Sequence, residues 1–283
     1  MNDFQIILVG VLVAISCAIL GCFLILRKMA MVGDAISHAV LPGIVIAFLV
    51  VQRFDSIFML LGAAVLGVFT TLLIEFLHRQ GKLQTDASIG VSFTFLFAVG
   101  VILISVFASK VDIDADCVLF GEIAYVPLDV WRIDLGDGAI LNLGATAAWW
   151  IGSVLLIILV FVSLFYKEML LTTFDSSFAS AIGINTSVWH YSLMSLVSLA
   201  TVAAFESVGA VLVLAFLVVP PATSYLLTTN FKKMLLISCC IGTITAILGY
   251  YVASYLNASI AGTMTSVAGV IFFIVFVLVR LRK

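Results

Sequence analysis

Asp34 and His38 stand four residues apart in Gly33-Asp34-Ala35-Ile36-Ser37-His38-Ala39-Val40-Leu41-Pro42-Gly43. On a helix that spacing stacks a carboxylate and an imidazole on one face. Both groups ligate divalent transition metals. The pair leads into a membrane-length apolar run, where ionisable groups are costly and mark a substrate or ion path. A structural alternative makes Asp34 the N-cap of the helix with Ser37 at its third position, but a cap gives His38 no role. Pro42 removes a backbone hydrogen bond one turn beyond His38, and Pro220-Pro221 does the same in a later run; broken helices at membrane depth line cavities or pathways. Glu206, in Ala203-Ala204-Phe205-Glu206-Ser207-Val208-Gly209, is a further candidate metal ligand. It is solvated if 188–229 makes two full crossings, and buried on the path if that stretch is two short helices meeting within the membrane. Glu75, four residues after Thr71 and three before His78, is expected to snorkel or to pair locally.

The elements that must hold these groups follow from composition. Of 283 residues, 64% are hydrophobic and 10% charged, against roughly 25% charged in soluble domains; mean hydropathy is +1.32. Helical spans of about 20 apolar residues are predicted near 4–27, 35–52, 56–77, 88–108, 147–166, 188–205, 208–229, 235–254 and 261–279. The runs are solidly apolar rather than alternating, which excludes a membrane barrel. The fold class expected is all-α, a polytopic bundle of 8–10 spans forming one permease domain over 1–283. Nine crossings put the N-terminus outside and the C-terminus inside. Ten of the thirteen Lys and Arg then lie on the inner side, as the positive-inside rule requires. Asp3 and the late first positive charges argue against a cleavable signal peptide and for an uncleaved first helix. The five cysteines show no CxxC spacing; four fall in apolar spans and read as small buried groups.

Two loops exceed mere connections. The outer loop, 109–146, carries Asp112, Asp114, Asp116, Glu122, Asp129, Asp134 and Asp137 against Lys110 and Arg132. Its field raises local cation concentration or docks a basic partner, unless the loop is simply solvated. Its apolar Phe120–Pro127 stretch and Trp131 suggest a partly ordered cap. The inner loop, 167–187, holds a short helix capped by Asp175 and ended by Gly183, with Phe178, Ala179, Ala181 and Ile182 as its apolar positions. Such a helix suits docking on a soluble partner; the alternative lays it on lipid headgroups, with no Lys or Arg between Glu168 and Gly183 to favour that. A Walker-type phosphate loop is missing, because Gly81-Lys82 is followed by Leu83. Energy therefore comes from an ion gradient or another subunit. No His-Glu-x-x-His occurs, which argues against an intramembrane zinc hydrolase.

The Gly33–Gly43 block resembles the signature of the membrane permeases of bacterial manganese, zinc and iron ABC importers. Asp86-Ala87-Ser88-Ile89-Gly90, Val118–Ile123, Tyr166-Lys167-Glu168 to Gly183, and Val208-Gly209 to Pro220-Pro221-Ala222-Thr223 continue the resemblance in order. It implies a permease of the cytoplasmic (inner) membrane, not itself an enzyme. Its partners would be cytoplasmic ATP-binding subunits, a second permease copy or paralogue, an extracytoplasmic metal-binding lipoprotein and membrane lipid, with no nucleic acid. It implies that Asp34 and His38 touch the metal in transit, and that Glu168, Asp175, Ala179 and Gly183 belong to the element seated on the ATPase. The cargo ranks manganese first, then zinc or iron; no permanently bound cofactor is expected. A secondary metal transporter driven by a proton or sodium gradient, using Asp34, His38 and Glu206, is the alternative.

Overall fold

The computed structural model describes residues 2–51, 56–107, 123–134 and 140–281. Nine long helices form among these residues, at the positions where the sequence runs apolar. They are α1 (Asn2–Leu26), α2 (Val32–Val51), α3 (Ser56–Gln80), α4 (Thr85–Phe107), α5 (Thr146–Leu164), α8 (Thr186–Val208), α9 (Ala210–Leu227), α10 (Phe231–Leu256) and α11 (Ile260–Leu281). Two short helices, α6 (Tyr166–Phe174) and α7 (Ser176–Ala181), lie between α5 and α8. Seven of the long helices are long and apolar enough to cross a membrane, and the described apolar part of α3, Gly62–His78, is shorter. In lipid, backbone groups must be satisfied within the segment, so solid apolar runs become helices. The chain is an all-α polytopic membrane protein.

The stretch 188–229 resolves into two full helices, of 23 and 18 residues, turning at Gly209 (φ 78°). Re-entrant half-helices are thus excluded, and Glu206 sits in the last turn of α8. The long loop before α5 contains a 3₁₀ turn (Ile123–Leu128) and an antiparallel hairpin, β1 (Val130–Asp134) and β2 (Ile140–Ala145). Ile133 pairs with Leu141 and Asp134 with Ile140, with an irregularity between Val130 and Arg132. Asp112, Asp114, Asp116, Cys117, Glu122 and Asp137 fall outside the described residues.

The chain divides into two compact units. One comprises α1, the 3₁₀ turn, the hairpin, α5 to residue 160, α8 from residue 203, and α9–α11. There α9, α10 and α11 pack mutually. Helix α1 lies against all three: a Cβ added at Gly21 would meet the Leu217 backbone and Pro221 of α9. A Cβ added at Gly242 of α10 would sit 3.2 Å from Ala14 Cβ, one at Gly10 would sit 3.4 Å from Met264 of α11, and the Phe23 and Phe231 rings are 4.9 Å apart. The apolar stretch of α1 is 72% buried and that of α11 only 11%, so α11 offers its surface to lipid or a partner.

The other unit comprises α2–α4, α5 from residue 161, α6, α7 and α8 to residue 202. Helix α2 packs on α3 and α4. Its closest approach is glycine on glycine: a Cβ at Gly43 would lie 2.6 Å from Gly62 O, and one at Gly62 would lie 2.7 Å from Gly43 O and 2.6 Å from Ala47 Cβ. Small residues let backbones meet where lipid supplies no hydrophobic drive. Leucine at position 62 must therefore push α2 off α3. Gly62→Leu should lower the stability of the purified permease by roughly 1–3 kcal/mol, read as an earlier midpoint in an SDS unfolding titration. An unchanged midpoint would show that α2 and α3 do not meet here.

Candidate functional site

Helix α2 starts before Asp34. Val32 N–H donates to Met29 O (3.1 Å) and Ala35 N–H to Met31 O (3.2 Å), so Asp34 lies in the first turn and is not the cap. The cap reading fails because the helix begins at Val32, two residues before Asp34. A carboxylate in a first turn is favoured by the helix dipole. His38 follows one turn on, its Nε2 3.4 Å from Asp34 Oδ1, and the two side chains keep 34% and 28% of their surface exposed. Ala35, Ile36 and Ala39 are buried beside them, so the pair occupies the open face of the first turns of α2. Pro42 lies inside the helix and has no N–H to give to the His38 carbonyl, which leaves an oxygen acceptor in the same turn as the imidazole.

Two residues that sequence reasoning missed shape this face. The His38 ring lies 5.6 Å from the Phe93 ring and 6.0 Å, edge-on, from that of Phe97. Their i, i+4 spacing on α4 was the available signal, hidden among the many phenylalanines of the chain. The rings restrict the imidazole and screen one side of it from water. Glu206 belongs to the other unit, and its side chain is not among those described. No cluster of three or more His, Cys, Asp and Glu occurs among the described residues. A two-ligand site can hold a hydrated cation briefly, whereas a closed cage would retain it.

Glu75 departs from the expected local pairing. It is buried, and its Oε2 lies 3.4 Å from Nε2 of His190 on α8. His78, the local candidate, instead places its Nδ1 2.8 Å from Leu83 O.

The loop between α5 and α8 folds as its residue types dictate. The Asp175 carboxylate accepts from Phe178 N–H at 2.8 Å and caps α7. Gly183 turns with φ 88°, its N–H donating to Ser180 O and that of Ile184 to Ala179 O, the closure favoured by a left-handed residue after a helix. Ala179 is fully buried, while Phe174, Phe178 and Ile182 are 60%, 53% and 53% exposed. Glu168 lies in the first turn of α6. Arg27, in the turn between α1 and α2, donates to Thr172 and Thr173 of α6, both at 3.1 Å. Three exposed apolar side chains on a capped, pinned helix pair form a surface suited to a soluble partner.

Residues 3–279 match the model of the ABC 3 transport family. The chain is 49% identical over 265 residues to the manganese transport system membrane protein MntD of Bacillus subtilis, covering 94% of this chain and 88% of that protein. It is 37% identical over 272 residues to the zinc transport system membrane protein TroD of Treponema pallidum, covering 96% and 72%. Its fold resembles PsaBC from Streptococcus pneumoniae, solved in complex with Fab, at TM-score 0.78 and 31% identity over 96% of this chain and 90% of that one. With the apolar helices and the open acid–imidazole face already described, these matches assign the chain to the ABC 3 transport family, as a multi-pass permease subunit of the metal-ion ABC transporters of the bacterial cytoplasmic membrane.

Proposed function

We infer that the chain imports a divalent transition metal, manganese first, as the permease of an ATP-driven complex. The observation that carries this reading is the Asp34–His38 pair, 3.4 Å apart on the open face of an apolar helix. Carboxylate and imidazole suit manganese, iron and zinc alike; the order rests on relatives named for manganese. The whole chain acts as a single permease domain, pairing with a second permease, a copy or a paralogue. An extracytoplasmic binding protein delivers the metal, and Asp34 and His38 hold it while water completes its shell. Glu206 is a further candidate ligand. The α6–α7 element, through Glu168, Asp175, Ala179 and Gly183, sits on a separate ATPase subunit. Hydrolysis there moves the element, and Arg27 carries that motion to the turn that precedes α2.

Proteoliposomes holding the chain with its ATPase and loaded binding protein test this directly. Asp34→Ala and His38→Ala should each lower radiolabelled manganese uptake by at least about tenfold, with assembly and basal ATP hydrolysis retained. Normal uptake in both variants would remove the pair from the path. Uptake indifferent to ATP but following a proton gradient would point to a secondary transporter instead.

Asp175 gives a separate handle on coupling. Asp175→Ala removes the α7 cap, at a cost of about 1 kcal/mol, and should reduce metal transported per ATP hydrolysed. Asp175→Asn keeps an acceptor and should preserve the ratio. Equal ratios in both variants would detach α7 from the coupling path.

A further inference from the structure

We propose that Glu75 and His190 form a second cation site, through which the metal leaves the permease. The proposal rests on the transport reading above and adds a station to it. Four observations meet here. First, a carboxylate and an imidazole, 115 positions apart in the chain, are brought to 3.4 Å with only 9% and 19% of their side chains exposed. Burying a carboxylate in a helix that runs apolar is costly, and these two groups repeat the donor set of the Asp34–His38 pair. Second, both line a cavity of 560 Å³, room for the several waters that a divalent ion keeps when few protein ligands hold it.

Third, the cavity reaches the start of α2, with Met29 and Val32 in its wall, while Asp34 and His38 lie further along that helix. His78 shares the wall. A ring that donates Nδ1–H to the Leu83 carbonyl presents Nε2 as its lone-pair nitrogen, the arrangement found in metal-binding histidines. The three residues do not close into a cluster, so His78 acts as the next contact and not as a third permanent ligand.

Fourth, Arg27 and Lys28 stand in the same wall. Fixed positive charge beside a cation site weakens it, and weak binding is what discharge requires. Arg27 is held by the Thr172 and Thr173 hydroxyls, so movement of α6 shifts this charge relative to Glu75 and His190. Release is thereby tied to the element proposed to meet the ATPase.

The test uses the assembled complex in nanodiscs, with Mn²⁺ as the probe and loss of the free-ion EPR signal as the readout. In an Asp34→Ala, His38→Ala background, saturable Mn²⁺ binding should persist. Adding Glu75→Gln or His190→Gln should weaken it by about 10- to 100-fold. Binding unchanged by either addition overturns the proposal. His190→Cys separates a ligand from a mere interhelical pin in the otherwise native complex. A thiolate favours softer metals, so the ratio of Cd²⁺ to Mn²⁺ uptake should rise about tenfold. Equal loss of both metals, with assembly and basal hydrolysis intact, would mark a structural pin and overturn the proposal; Glu75→Asp, which keeps a carboxylate, should retain Mn²⁺ binding. A wild-type complex that transports no metal would overturn the underlying reading, and the exit role with it. A transporting wild type whose variants bind and discriminate as before would overturn this inference alone.

Discussion

The structure depends on the cost of keeping charge away from water. A chain with 10% charged residues can place an ionisable group inside an apolar helix only where a partner, a hydrated cavity or a helix terminus offsets the lost hydration. Asp34 uses a helix N-terminus and an imidazole one turn away. Glu75 uses an imidazole from another helix and the edge of a cavity. Arg27 uses two threonine hydroxyls. The last two solutions tie elements together, α3 to α8 and the α1–α2 turn to α6, so these charges are also joints of the unit that contains them. The same constraint makes these groups available to a cation, because carboxylate oxygens and imidazole nitrogens are both metal donors.

Most of the fold was legible in the sequence, because lipid imposes a single rule. Solid apolar runs of membrane length become helices, and all nine predicted runs did. Helix ends were less certain: α2 begins three residues before the predicted start at 35, and that shift moved Asp34 from cap to first turn. Boundaries drift by such amounts because terminal turns fray. The hairpin was missed although Trp131–Asp134 alternates and Asp137-Gly138 is a hairpin turn signal. The alternation spans only four residues of a loop dominated by acidic side chains, too short to stand out from it.

The candidate site was legible only as far as its chemistry is local. Asp34 and His38 are one turn apart, so spacing alone placed them on one face. Asp175 and Gly183 are read equally well, since a cap and a left-handed stop are properties of a few adjacent residues. Glu75 shows the limit. The sequence offers it Thr71 and His78 at helical spacing, whereas its actual partner, His190, comes from a helix far along the chain. Phe93 and Phe97 reach His38 through tertiary packing, which leaves no mark in a segment already rich in apolar residues.

The burial of α1 carries a consequence for biosynthesis. Helix α1 is synthesised before its packing partners on α10 and α11, which lie more than two hundred positions later. At roughly 5–20 residues per second, the helix must wait on the order of tens of seconds for them. Its freedom from charge beyond Asp3 lets it wait in lipid without exposing a polar group, where an amphipathic helix would need a chaperone or an early neighbour. A feature that in the finished protein reads as core is, during synthesis, what makes this span self-sufficient.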